Sequence, residues 1–218
     1  MKNYNAFFPD VLPEVPGCPA DLAIREIRNT VIEFCEKSLI HQITLDPITL
    51  RANLTDYFLD APTGHRVHKI MKVWFKGKPL DPLAPDEINN PDPYNQREQG
   101  GYTPTKSEPR GYTQKDFDAI TFDPIPDQTY TNAVTMRVAL APLRDSEEFE
   151  SLLYEQWGEY IACGAKSRLM LKPGKPYTNP EAATVNQARY VTGLNDARQR
   201  AIRGNVRSDL RVQLRRNP

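Results

Sequence analysis

Cysteine and histidine are scarce in this 218-residue chain, with three of each. Cys18, Cys35 and Cys163 are odd in number and far apart, which argues against a disulfide framework and for a reducing compartment. Cys35 and Cys163 fall within helical patterns with no basic or histidine neighbour. They read as small apolar filler rather than reactive thiols. His65-x-x-His68 is the one clustered histidine pair. Without cysteines or paired carboxylates nearby it is a poor metal signal, and on a strand its two rings face opposite sides. Long apolar runs are missing too: none approaches the roughly 20 residues that span a bilayer. The opening MKNYNAFFPDVLPEVPG has no apolar core before a small-residue cleavage site, so no secretory signal is expected. There is no G-x-S-x-G elbow, no P-loop and no G-x-G-x-x-G after a strand. No pair of acids stands out from solvated helix faces. An enzyme reading therefore has no residues to carry it, and no cofactor or metal is expected.

Lys and Arg number 28, as do Asp and Glu, so formal net charge is zero. The balance hides an asymmetry. From Arg198 onward there are seven arginines and one acid, Asp209, a net +6, so the first 197 residues carry −6. A basic tail on an acidic body is suited to an anionic partner. The tail uses arginine alone, whose planar fork binds carboxylate or phosphate bidentately. Ile202, Val206, Leu210, Val212 and Leu214 interleave with it, which a purely solvated tail does not need. Proline is the other excess: 20 residues, about 9% against a usual 5% or so. So many fixed corners point to long ordered loops rather than an all-helical bundle.

The chain divides by pattern. Residues 1–18, with Phe7, Phe8, Pro9, Val11, Pro13 and Val15, read as an extended, proline-punctuated arm, not a helix. Residues 19–40 belong to the bundle, and 19–38 read as a helix with Ile24, Ile27, Val31, Phe34 and Cys35 on one face. Residues 41–145 read as β. Ile43/Leu45, Ile48/Leu50, Tyr57/Leu59, Met71/Val73/Phe75, Ile120/Phe122 and Val134 to Leu140 alternate with period two, and KGKP and APTGH mark turns. Within this region a polar loop, 81–116, carries Tyr94, Tyr102 and Tyr112. Exposed aromatics favour interfaces, so this loop is expected to be ordered against a neighbour. Residues 146–204 read as two helices. The first has Asp145 and Glu148 at capping-box spacing and a stripe of Phe149, Leu152, Leu153, Trp157, Tyr160, Ile161 and Leu169, and Pro173–Gly174 stops it. The second is capped by Asn179–Pro180, with Ala183, Gln187, Ala188, Val191, Leu194, Ala197 and Ala201 as its stripe. Residues 205–218 form an Arg-rich C-terminal arm. The expected fold is α+β: a bundle of three or four helices, an inserted antiparallel β region, and extended arms at both ends.

These features come in a distinctive order. PGCPADLAIREIRNTVIEFCEKS is followed by VWFKGKPLDPL, PRGYTQ, ITFDPIPD, VALAPLRDSEEF and GAKSRLMLKPGKPYTNPEAA, then the arginine tail. Over residues 13–216 the chain resembles the head-to-tail adaptor, or neck, proteins of tailed bacteriophages, closest to the tail tubular A type of short-tailed phages. The resemblance implies a structural virion protein made in the host cytoplasm and found at the head–tail junction. It implies a ring of copies, usually twelve, below the portal protein. Such a ring extends the DNA channel and offers a platform to a downstream tail or nozzle protein. DNA passes without specific binding, and no membrane is involved. It further implies that Arg200, Arg203, Arg207, Arg211, Arg215 and Arg216 dock on an acidic portal surface. Two rival readings stay open on the residues alone: a nucleic-acid-binding protein using the basic arm on phosphate, and a ligand-binding α+β module with the Tyr-rich loop as lid.

Overall fold

The computed structural model describes residues 1–84, 106–116 and 118–204. The fold is α+β and divides into two compact units: residues 1–41 with 147 onward, and Gln42–Ser146. The first unit opens with β1 (Lys2–Asn3), a 3-10 turn at Tyr4–Phe7, α1 (Phe8–Val11), a second 3-10 turn at Leu12–Glu14, and α2 (Ala20–Ser38). The second holds β2 (Gln42–Leu50), β3 (Asp56–Phe58), β4 (His65–Phe75), β5 (Lys78–Pro79), β6 (Asp81–Pro82), β7 (Gly111–Asp116), β8 (Ala119–Asp123) and β9 (Tyr130–Pro142). The chain then returns to the first unit through β10 (Glu148–Phe149), α3 (Ser151–Met170) and α4 (Pro180–Arg203).

The N-terminal segment is not the extended arm expected from its prolines. It coils into short helical turns because Pro9 and Pro13 each sit in a first turn, where a missing N–H costs nothing. Tyr4, Phe7, Val11 and Val15 are all buried. Phe7 and Tyr4 meet Phe149, with ring centroids 5.4 and 5.1 Å apart. β1 pairs antiparallel with β10, Lys2 opposite Phe149. That pairing also corrects the start of α3: Glu148 and Phe149 are strand, and the Asp145/Glu148 spacing caps nothing. A long-range partner overrides a local helix signal here.

Three helices make the core of this unit. On α2, Ala23, Ile27, Thr30, Val31, Phe34 and Cys35 are buried at three- and four-residue spacing. The helix ends at Leu39, in the left-handed region with φ 56°, whose N–H donates to the Cys35 carbonyl. On α4, Asn179 Oδ1 accepts from the Ala182 N–H at 3.1 Å, and Pro180 fills the first helical position. Two glycines set the helix spacing. A Cβ on Gly164 would lie 2.6 Å from the Tyr190 ring and 2.7 Å from the Thr30 methyl, so α2, α3 and α4 converge on that backbone. A Cβ on Gly193 would lie 2.2 Å from Tyr160. The buried face of α4 is therefore Ala183, Asn186, Tyr190, Gly193 and Ala197. This corrects the expected stripe, since Gln187, Ala188 and Val191 face outward. Asn186 enters the core because its Nδ2 donates to the Ala182 carbonyl at 3.1 Å.

In the second unit, β9 is the spine. One sheet runs β2-β9-β4-β5 and the other β3-β8-β7-β6. Every pair is antiparallel except β6 with β7, a two-residue parallel exception to the expected antiparallel region. Leu50, Val67, Val73, Val134, Met136 and Val138 from the first sheet share one core with Tyr57, Tyr112, Ile120 and Phe122 from the second. Register shifts on β4 between Val67 and Lys69 and between Ile70 and Lys72 break its period. Its buried row is thus Val67, Ile70, Val73, Phe75, with Met71 only half-buried. Lys76 and Gly77 both take positive φ, 49° and 79°, between Phe75 and its partner Lys78. That is the two-residue hairpin turn whose twist suits the strands it joins.

Candidate functional site

His65 is buried at the start of β4 with Nδ1 3.2 Å from the Thr63 carbonyl, and His68 is half-buried. Among the described residues no group of three His, Cys, Asp or Glu converges as metal ligands. Cys35 is buried, which pushes its thiol up to about 12; burial also raises Cys163 and Cys18. Such thiols are poor nucleophiles. No helix among the described residues is long and apolar enough to cross a membrane.

Several charged side chains of the helical unit pair within it. Lys172 Nζ donates to Glu26 Oε1 at 2.9 Å, Lys166 Nζ donates to Glu14 Oε1 at 2.6 Å, and Arg168 pairs with Glu33. Glu26 and Lys166 are buried, so these are linking pairs and not binding groups. Burial alone raises the Glu26 carboxyl. The Lys172 hydrogen bond and the charges of Lys172, Arg25 and Arg168 outweigh it, leaving Glu26 below the usual carboxylate range.

The expected site residues fall in three places. Arg200 lies in the last turns of α4 with its guanidinium 5.9 Å from the centre of the Trp157 ring, and Arg203 is exposed at the helix end. Arg207, Arg211, Arg215 and Arg216 lie outside the described residues, as do Tyr94 and Tyr102. Tyr112 is not an interface side chain. It is 6% exposed on β7, inside the β core, and burial raises its hydroxyl. Its reading as a loop residue failed because Gly111–Asp116 pairs with β8 along a register running from Gly111↔Asp123 to Asp116↔Ala119. The described part of the 81–116 segment thus contains two strands, β6 and β7.

What the sequence reading missed are two surfaces with exposed apolar side chains. The first is the outer face of α4. Val185, Val191 and Ile202 are 57%, 41% and 64% exposed, and with Thr184, Ala188, Thr192, Asn195 and Gln199 they form an uncharged stripe. At 100° per residue this stripe lies opposite the buried one. A surface helix ordinarily carries charge there. The signal was visible as the run of uncharged residues at those spacings. The second surface is in the β unit. Phe58, on edge strand β3, is 85% exposed and borders a groove of about 450 Å³. Ile43, Leu45 and Ile48 of β2 form one wall, and Ala61 and Pro62 lie opposite. The ionisable side chains lining it are both acidic, Asp46 and Asp60.

No family model matches the chain, and a search of curated proteins finds no match.

Proposed function

We propose that this chain is a head-to-tail adaptor of a tailed bacteriophage, a structural virion protein that forms a ring beneath the portal. The observation that carries the reading is the exposed face of α4 opposite its buried one, uncharged from Thr184 to Ile202 and directed away from its own unit. A ring needs heterologous contacts, one patch of each copy on a different patch of the next. An uncharged stripe on a long helix serves that purpose and has little use in a solitary enzyme. The sequence resemblance, with its order of helix, β insertion, two helices and arginine tail, supports the same reading.

In this reading the α4 stripe lies at the contact between neighbouring copies. Arg203 and the arginines beyond it, with Arg200 at the helix end, meet an acidic portal surface. One exposed ion pair contributes only about 0–1 kcal/mol. Several per copy, linked around a ring, act together through high effective concentration. The acidic remainder of the chain suits a conduit that duplex DNA slides through, since many basic contacts would grip phosphate in a salt-dependent way.

The test is electron microscopy of the purified chain mixed with a portal ring. An added ring on the tailward side of the portal is expected with the full chain, and none with a chain ending at Gly204. Undiminished binding by that shortened chain would remove the arm from the interface. A full chain that never adds to any portal ring would remove the adaptor reading itself.

A further inference from the structure

The groove beside Phe58 lies between the edge strands of the two sheets. Among the described residues, β2 is an edge of one sheet and β3 of the other, and of the four sheet-edge strands of the β unit only β2 is long, at nine residues. Long edges with apolar flanks are templates for another strand. The Asp46–Pro47 irregularity, where the pairing with β9 shifts between Leu45 and Ile48, divides this edge. The pieces on either side still bring Ile43, Leu45 and Ile48 to the groove.

The C-terminal segment has the pattern of a strand. Val206, Ser208, Leu210, Val212 and Leu214 occupy the even positions; Arg207, Asp209, Arg211, Gln213 and Arg215 the odd ones. Strict alternation over ten residues puts a small or apolar row on one face and a basic row on the other. A helix would throw Val212 to the side away from Leu210, and α4 closes at Gly204, whose φ of 70° favours glycine. Ten extended residues span roughly 33 Å and the nine of β2 roughly 30 Å. The charges match as well: the groove offers Asp46 and Asp60, and the segment offers Arg207, Arg211 and Arg215.

We infer that residues 206–215 of one copy add a strand to the β2 edge of a second copy, with the apolar row in the groove against Phe58 and the arginine row beside Asp46 and Asp60. Main-chain hydrogen bonds then give affinity, and the alternate side chains give register. Portal docking and this pairing compete for Arg207, Arg211 and Arg215, so the pairing describes copies of the chain away from a portal; Arg200, Arg203 and Arg216 stay outside it. The inference concerns contact between copies of this chain, so it stands without the adaptor reading and is tested with this chain alone.

The experiment titrates the isotope-labelled full chain with an unlabelled peptide spanning residues 204–218, followed by amide NMR. Saturable shifts at Gln42–Ile48 and Phe58 are expected. Phe58→Ala, a change at an exposed position, should weaken binding at least tenfold. A peptide with Val206, Leu210, Val212 and Leu214 all changed to Ser should not bind. Absence of shifts at millimolar peptide overturns the proposal, and so does equal binding of the serine peptide, which marks mere charge attraction. If the peptide leaves β2 unmoved while the same four serine changes within the chain shift it at every protein concentration, the segment occupies its own groove and the second copy is wrong.

Discussion

Gly158 and Gly164 lie on the same helix, and adding one methyl group to each should move stability in opposite directions. Both sit inside α3, where alanine is favoured over glycine by about 1 kcal/mol. At Gly158 the new Cβ meets its nearest neighbour, the Tyr154 ring, at 3.4 Å, an ordinary contact. Gly158→Ala should therefore keep most of the gain. At Gly164 the Cβ would press on Tyr190 at 2.6 Å and on Thr30 at 2.7 Å. Those side chains are 3% and 0% exposed and belong to α4 and α2, so neither can swing into solvent. Overpacking a close-fitted core costs about 1–3 kcal/mol. Set against the helix gain, Gly164→Ala should lose about 0–2 kcal/mol. At about 2–4 °C per kcal/mol for a chain of this length, Gly158→Ala should melt about 2–4 °C higher and Gly164→Ala up to about 8 °C lower. The assay is thermal melting followed by the helical circular dichroism signal. If Gly164→Ala raises the melting temperature as much as Gly158→Ala does, the three helices do not converge on that backbone.

Two further outcomes follow from the helical unit. Glu26 sits low through Lys172, so its pairing stabilises the fold above the unfolded carboxylate pKa of about 4.3 and is lost as pH falls through the lower folded value. Lys172→Met leaves a buried carboxylate short of its main partner and should cost about 1–3 kcal/mol at neutral pH. Denaturant titrations should show the gap to the parent closing below about pH 4, and a gap that widens on acidification would contradict the pairing. Brief alkylation of the native protein, read by peptide mass spectrometry, should label Cys18, which is half-buried, and spare Cys35 and Cys163, which are buried. Labelling of Cys35 at neutral pH would contradict both its burial and its raised pKa.

Much of the architecture was legible because local signals and final structure agree. α4 begins at an Asn–Pro cap and ends at a glycine, both written in the sequence. β2, β3, β4, β8 and β9 fall on stretches that alternation marks as strand, and the KGKP turn is the hairpin it suggests. The failures are long-range. Phe149 looked helical until β1 claimed it from the far end of the chain. The prolines of the first 18 residues allow helical first turns as readily as extended chain, and burial of Phe7 against Phe149 chose the former. The α4 stripe was misjudged because Gly193 and Asn186, poor core residues by hydropathy, face α3: the Gly193 backbone lies against Tyr160, and Asn186 Nδ2 reaches Met170 Sδ at 3.7 Å. Of the expected site, Arg203 lies exposed at the helix end, while Tyr112 is core, because six residues of a polar-looking segment find a strand partner. Phe58 gave no sequence signal, since alternation alone does not show which edge lacks a neighbour.

The insertion of the β unit has a consequence for synthesis on the ribosome. α2 is finished before Gln42 is added, yet α3 and α4, whose Trp157 and Tyr190 rings meet Phe34, begin only at Ser151. At about 5–20 residues per second, the roughly 130 residues up to the end of α3 take about 6–26 s to emerge. The β unit can close upon itself once its spine β9 has emerged at Pro142, while the greasy side of α2 still waits for α3. The nascent polypeptide thus has an obligatory order of maturation, the later-starting unit first, and a window in which a holding chaperone has something to grip.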